Sequence, residues 1–348
     1  MNFASDNTAG APPAILDAIA RANAGFALGY GNDDLTRAVE RRVGEVFERD
    51  AAVFLVPTGT AANALALAHL APPWGAVLCH ARSHIATDEC GAPEFFGGGL
   101  KLIGLPGEGC KLAVDTVRAG IAHHSGHRPH FTQPAALSLS QVSEAGTIYS
   151  LAEIEALAGL AHAAGLGVHM DGARFANALV RTNANPAAMT WRAGIDVLSF
   201  GATKGGALAA EAVVIFDRAK ADAMHERRKR GGHLVSKHRF LAAQLDAFLA
   251  DGNWLAWARH ANAMADRLAK GLGSGGIAPV WPVEGNLVFV VLPQAADARL
   301  RAAGASYYAR DSDDSGISIK PGDVLVRLVT SFATTDMEVD RFVELTTR

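Results

Sequence analysis

The sequence has little of several things that would each point to a class of protein. It has three cysteines, Cys79, Cys90 and Cys110, an odd number without CxxC spacing. That argues against a disulfide framework and suits a reducing compartment. Positive charge is not in excess: 32 basic against 35 acidic residues leave a net charge of −3. No global field therefore draws in nucleic acid or an anionic membrane, and the short run Arg227-Arg228-Lys229-Arg230 does not alter this. No uninterrupted apolar stretch approaches the about 18 residues that span a bilayer; the one from Ala61 to Cys79 is broken by His69 and Pro72-Pro73. The opening residues, MNFASDNTAG, lack the basic-then-apolar layout of a signal peptide. HExxH, GxSxG and paired metal-ligand spacings do not occur, so no metal is expected. The Gly271 to Gly276 stretch matches GxGxxG but follows a helical pattern and leads toward a strand, the reverse of the dinucleotide context, and reads as a linker. The expectation is a cytoplasmic protein with a small-molecule partner, and neither nucleic acid nor membrane.

What is present is a sizeable apolar share, 49% of 348 residues, with 19% charged. This composition builds a globular core, and the length suggests about two domains. Short apolar strands are predicted at 52–56, 75–79, 100–105, 136–139, 167–170, 196–200 and 211–216, with helices between several of them. Such alternation specifies an α/β fold with a mostly parallel sheet covered on both faces. Ahead of it, residues 13–24 and 34–47 read as amphipathic helices. After it come long helices at 233–250 and 254–272, then a small α+β unit closing the chain. Three parts are expected: an N-terminal segment, 1–30, packing on the large domain and a neighbouring subunit; a large α/β domain, 31–250; and a small C-terminal α+β domain, 251–348.

The sharpest motif is Ser199-Phe200-Gly201-Ala202-Thr203-Lys204-Gly205-Gly206, a strand running into a Gly-rich turn that presents one lysine. A plain surface lysine is the alternative. However, small residues on both sides would let a bulky planar ligand approach the backbone, and a lysine desolvated there is a good nucleophile toward an aldehyde. Earlier, Val168-His169-Met170-Asp171-Gly172-Ala173-Arg174-Phe175 sets Asp171 at the end of a buried strand, where parallel sheets bind ligands. Asp171 could be a simple helix cap. Together the lysine and the acid match pyridoxal 5'-phosphate (PLP), which forms a Schiff base with a lysine and needs a carboxylate beside its ring nitrogen. Pro57-Thr58-Gly59-Thr60-Ala61-Ala62-Asn63 opens a helix, and the amides and hydroxyls of Thr58, Gly59 and Thr60 would seat a phosphate. His84, after the next strand, is a candidate to stack on the cofactor and move protons.

These parts occur in the order found in PLP enzymes of the aspartate aminotransferase fold (fold type I), and over nearly its whole length the chain resembles the threonine aldolases. The resemblance is carried by Ser5-Asp6-Asn7-Thr8, Tyr30-Gly31-Asn32-Asp33, residues 57–63, Ser83-His84-Ile85, residues 169–175 and 200–205, and Arg327-Leu328-Val329-Thr330. It implies retro-aldol cleavage of L-β-hydroxy-α-amino acids to glycine and an aldehyde, with Lys204, His84 and Asp171 catalytic. It also implies that Ser5, Arg174 and Arg327 hold the substrate carboxylate and that Arg174 contacts the cofactor as well. Tyr30 would lie near a neighbouring subunit's site in a homodimer or homotetramer, and Lys229 and Lys237 would reach a cofactor phosphate across that interface. Solvated surface is the alternative for both lysines, an edge-strand charge for Arg327, and a surface ion pair for Arg174. Two departures stand out. A second active-site histidine of some relatives is missing from Ser140-Gln141-Val142-Ser143-Glu144, and Ser331 stands where relatives end RLVTH. His84 is left as the candidate for proton transfer. The rival readings are transamination or β-elimination on the same fold, or PLP binding without catalysis.

Overall fold

The computed structural model describes residues 1–310 and 319–348. Among them, ten strands form two sheets. The larger contains β1 (Ala52–Val56), β2 (Gly75–His80), β3 (Lys101–Leu105), β4 (Gln133–Ser140), β5 (Gly167–Gly172), β6 (Val197–Gly201) and β7 (Glu211–Ile215). Their order is β1-β7-β6-β5-β4-β2-β3. β1, β2, β6 and β7 are buried at every position, which their unbroken apolar runs anticipate. Neighbours pair in parallel from β6 to β3, whereas β7 runs antiparallel to both β6 and β1. The reason is chain length. Residues 202–210 join β6 to β7, and a parallel return needs a crossover of about a dozen residues or more.

Helices cover both faces. The helix Gly59–Leu70 is Ala/Leu-rich and buried almost throughout, and the Thr58 side chain caps it by accepting from the Ala61 amide. The helix Leu151–Ala163 starts on a capping box in which Ser150 and Glu153 each satisfy the other's backbone. The helix Asp34–Val46 is amphipathic, burying Val39 and Val43 and capped by Asp33.

The second sheet has β8 (Leu287–Leu292), β9 (Tyr308–Ala309) and β10 (Val324–Val329) in the order β8-β10-β9, all antiparallel. Helices Gln294–Ala302 and Asp336–Thr347 pack with it around Val288, Val290, Val326, Leu328 and Phe342. Arg327 lies on the middle strand of the described three, opposite Phe289 and Tyr308, not on an edge. Phe3 is fully buried in this second core, and its backbone bonds to Ser306 and Val329. The start of the chain is thus tied to the C-terminal unit, while the helix Pro13–Ala22 packs on the helix Arg239–Leu249 of the large one.

Two predicted boundaries differ. The helix expected over 233–250 begins at Arg239, because the Ser236 carbonyl accepts from the Tyr30 amide and Gly232 is left-handed at φ 76°. The expected Gly271 linker is helix instead: Asn253–Ser274 is continuous. A Cβ at Gly271 would lie 2.7 Å from Val343, so glycine here serves close helix packing. That helix carries Trp254 and Ala258 into the large core and Ala265, Leu268 and Leu272 into the small one. Among the described residues no helix is long and apolar enough to cross a membrane.

Candidate active site

The functional side chains gather at the carboxyl ends of the parallel strands, where such sheets leave a crevice. Asp171 ends β5, the Lys204 turn follows β6, Thr58 follows β1, and His84 follows β2. Two glycines make the gathering possible. A Cβ on Gly201 would lie 2.7 Å from the Ala173 backbone, and one on Gly172 2.8 Å from the Ser199 carbonyl. The two strand ends that carry Asp171 and Lys204 therefore approach closer than any side chain permits. Thr58, Gly59, Thr60, His84, Asp171, Arg174 and Lys204 line one cavity of about 570 Å³.

Asp171 is 7% exposed. Its Oδ1 accepts from the Ala173 amide at 3.0 Å and its Oδ2 from Asn63 Nδ2 at 3.0 Å. Burial pushes its carboxyl up, but the charges of His84 and Lys204 more than offset this, and it stays ionised below its ordinary range. Beneath it on β5, His169 is fully buried, with each ring nitrogen 2.9 Å from a serine hydroxyl, Ser138 on β4 and Ser199 on β6. Burial lowers it to about 4, so it is a neutral tie across three strands. Lys204 is half-buried, and no described residue accepts a hydrogen bond from its amine.

His84 Nδ1 is 2.8 Å from Glu89 Oε1, and that hydrogen bond raises the imidazole against the effect of burial. Asn63 Nδ2 donates to the same Glu89 oxygen at 2.7 Å. At the cavity's other end the helix Gly59–Leu70 points its first amides inward, and the position a Gly59 Cβ would take has nothing within 4 Å. That is an open seat for an anion. Glu211, on β7, accepts from the Ala202 amide at 3.1 Å, and burial pushes it up to about 7 against the pull of Thr203 and Lys204.

Arg174 lines the cavity, but its fork is engaged. Nε and Nη2 donate to Asp6 at 2.7 and 3.0 Å, and both side chains are buried. This is an internal ion pair, not the surface one weighed from sequence. Arg327 lies close enough to feel the charges of Arg174 and Asp6; among the described residues its Nη2 donates to the Ala4 carbonyl at 3.4 Å and its Nε has no hydrogen-bond partner. Burial first, then Arg310 and Arg174, lower it to about 10. A half-buried cation short of hydrogen bonds among the described residues is a seat for a carboxylate. Ser5 and Arg327 do not line the cavity; the Ser5 hydroxyl caps the short 3-10 helix Asp6–Thr8. Tyr30 is not brought to it either: the ring is half exposed, with Lys229 Nζ 4.6 Å from its centroid. Lys229 and Lys237 are exposed.

Burial pushes the Asp6 carboxyl up, and Arg174 and Lys204 bring it below its ordinary range. The stabilisation from a depressed carboxyl is present above its unfolded value and is lost as pH falls through the folded one. Asp6→Ala leaves Arg174 buried and unpaired, and is expected to cost about 3–5 kcal/mol. Urea unfolding at neutral pH checks the cost. A pH series checks the mechanism, since the wild type loses this stabilisation on acidification and the variant has none of it to lose.

Sequence reasoning gave no role to Asp6, Asn63, Glu89, Glu144 or Glu211, all of which border the cavity. Asp6 and Asn63 sit within motifs that drew attention to their neighbours, and Glu89 lies five residues after His84, past the end of the short helix His84–Thr87, where no helical spacing marks it.

PLP fits this set of groups. There is an amine on Lys204, a buried ionised carboxylate on Asp171, and a helix N-terminus with two threonines. Asn63 Oδ1 and Glu89 Oε2, both on lining residues, are buried without a hydrogen-bond partner. Comparison with known proteins agrees in kind. The model of the beta-eliminating lyase family matches residues 2–295. The low specificity L-threonine aldolase of Pseudomonas aeruginosa is 41% identical over 88% of each chain. The structure of Leishmania major threonine aldolase superposes with a TM-score of 0.93 at 31% identity, covering 100% of this chain and 98% of that one. Sphingomonas wittichii serine palmitoyltransferase, at 15% identity and a TM-score of 0.72 over 100% of this chain and 86% of its own, shares the fold alone.

Proposed function

The chain belongs to the beta-eliminating lyase family, and on that premise we propose that it is a PLP-dependent aldolase. It cleaves L-β-hydroxy-α-amino acids, such as L-threonine, L-allo-threonine and phenylserine-like compounds, to glycine and an aldehyde. The likeness to the Pseudomonas aeruginosa enzyme supports this reading of the chemistry. The observation that carries it in the molecule is the placing of Lys204, Asp171, His84 and the Thr58 turn around one cavity.

When bound there, PLP supplies an electron sink conjugated to the amino acid's Cα. Lys204 holds the cofactor through its amine. Asp171, kept ionised by His84 and Lys204, holds a proton on the ring nitrogen. Thr58, Gly59 and Thr60 bind the phosphate at the helix N-terminus. Arg327, with Ser5, binds the substrate carboxylate; Arg174, braced by Asp6, supports the same anion with its remaining N–H face. Fixing the carboxylate presents the Cα–Cβ bond for cleavage, and orientation of this kind is worth about 7 kcal/mol when good. His84 takes the β-hydroxyl proton as that bond breaks and the aldehyde leaves. Protonation at Cα then gives glycine.

A homodimer or homotetramer completes the proposal, with Tyr30, Lys229 and Lys237 facing a neighbouring subunit. Support comes from the exposed Phe26 and Leu28 beside Tyr30, an apolar strip that a second copy would cover. A cytoplasmic location is supported by the three free cysteines. The family's name favours one second reading, β-elimination. Incubation with threonine, allo-threonine and phenylserine isomers decides between them. Glycine with an aldehyde is expected, whereas keto acid and ammonia in their place would establish elimination.

A further inference from the structure

In that account Asn63 and Glu89 touch neither substrate nor reacting atoms, yet both are buried, at 2% and 4% exposure, and they connect the two groups that matter most. Glu89 Oε1 receives His84 Nδ1 at 2.8 Å and Asn63 Nδ2 at 2.7 Å, and the same Nδ2 reaches Asp171 Oδ2 at 3.0 Å. A carboxylate oxygen only accepts, so the two N–H groups of Asn63 are spent on two acids. Turning the amide over would set Oδ1 against both carboxylates, and its orientation is therefore forced. By the same logic His84 is the donor at Nδ1. Its Nε2, on the far side of the ring, has no described partner.

We propose that Glu89 is the positioning residue for His84: it keeps a proton on Nδ1 so that Nε2 is the nitrogen that accepts the substrate proton, and Asn63 locks Glu89 in place by tying it to Asp171. The role assigned to Nε2 rests on the aldolase reading; the pairing does not. The logic is that of a histidine base oriented by a buried acid. A proton taken at Nε2 as the Cα–Cβ bond breaks creates an imidazolium with the Glu89 carboxylate already at its other nitrogen. The charged groups facing His84 are Glu89, Asp171 and Glu144, which favour its protonation, and Lys204, which opposes it. Among them the hydrogen bond that His84 donates to Glu89 has the largest effect.

Glu89→Gln keeps the size and an acceptor but removes the charge. In ¹⁵N-histidine-labelled protein loaded with PLP, the His84 signal is identified by its loss in His84→Asn. Three results are expected in Glu89→Gln: the His84 midpoint moves to lower pH, the rising limb of kcat against pH moves with it, and plateau kcat falls by roughly tenfold or more at little-changed KM. Asn63→Ala attacks the arrangement from its other end and should turn the single Nδ1–H form of His84 into a mixture of tautomers. An unmoved midpoint and limb in Glu89→Gln would overturn the proposal. Should that variant not fold, one Nδ1–H form persisting in Asn63→Ala would do the same. Failure of the wild type to release glycine from any isomer would sink the aldolase reading instead, and the His84 spectra would still decide the pairing.

Discussion

Replacing Lys204 by alanine is expected to abolish glycine release, lowering kcat/KM by on the order of 10⁴-fold or more. Among the described residues of the chain no other lysine lines the cavity, and the lysines proposed to face it from a neighbouring subunit are assigned to the phosphate. The side chain is half-buried in a turn of small residues, and its removal opens space without stranding a hydrogen-bond partner. The variant should therefore fold, and PLP should still occupy the phosphate seat through non-covalent contacts. Borohydride reduction and peptide mapping check the point, by locating the cofactor on Lys204 in the wild type and on no peptide in the variant. Glycine release at wild-type rate by Lys204→Ala would remove the lysine from the mechanism altogether.

Asp171→Asn is expected to be the next most damaging change, with a fall in kcat of roughly 10²–10³-fold. The amide is nearly the same shape, and its oxygen still accepts from the Ala173 amide. What is lost is the acceptor for Asn63 Nδ2 and, above all, the negative charge that His84 and Lys204 keep in place despite burial. A neutral amide has no means of holding a proton on a ring nitrogen, so the electron sink weakens while the phosphate and lysine contacts stay intact. An equilibrium titration with PLP should thus show affinity changed by much less than kcat. A loss of affinity as large as the loss of rate would mean that Asp171 anchors the cofactor rather than tuning it.

Much of this was legible because the determining signals are local. Unbroken apolar runs marked the buried strands, and the Gly-rich turn after β6 and the Asp171 at the tip of β5 stood where parallel sheets expose ligand-binding groups. The seven cofactor and catalytic candidates were chosen one motif at a time, and all seven border the same cavity. The misread elements failed for non-local reasons. Gly271 looked like a linker because propensity penalises glycine, yet Val343 packs where its Cβ would be. Residues 233–238 carried a helical pattern, but Tyr30 uses the Ser236 carbonyl. The direction of β7, which the expectation of a mostly parallel sheet left open, follows from the length of one connection, a feature of topology that no strand's own sequence contains.

The sequence by itself determined which residue types are available and at which strand ends they emerge: an amine at 204, an acid at 171, hydroxyls at 58 and 60, an imidazole at 84. It determined them because a parallel α/β sheet sends every strand's carboxyl end to one edge. Only the tertiary structure decided how those groups are partnered. Asp6 engages Arg174 and leaves Arg327 the less satisfied cation, and Asn63 and Glu89 tie His84 to Asp171. These partners come from distant segments, and buried polar atoms accept only the few donors that packing brings within about 3 Å. Which donors those are is a property of the folded chain.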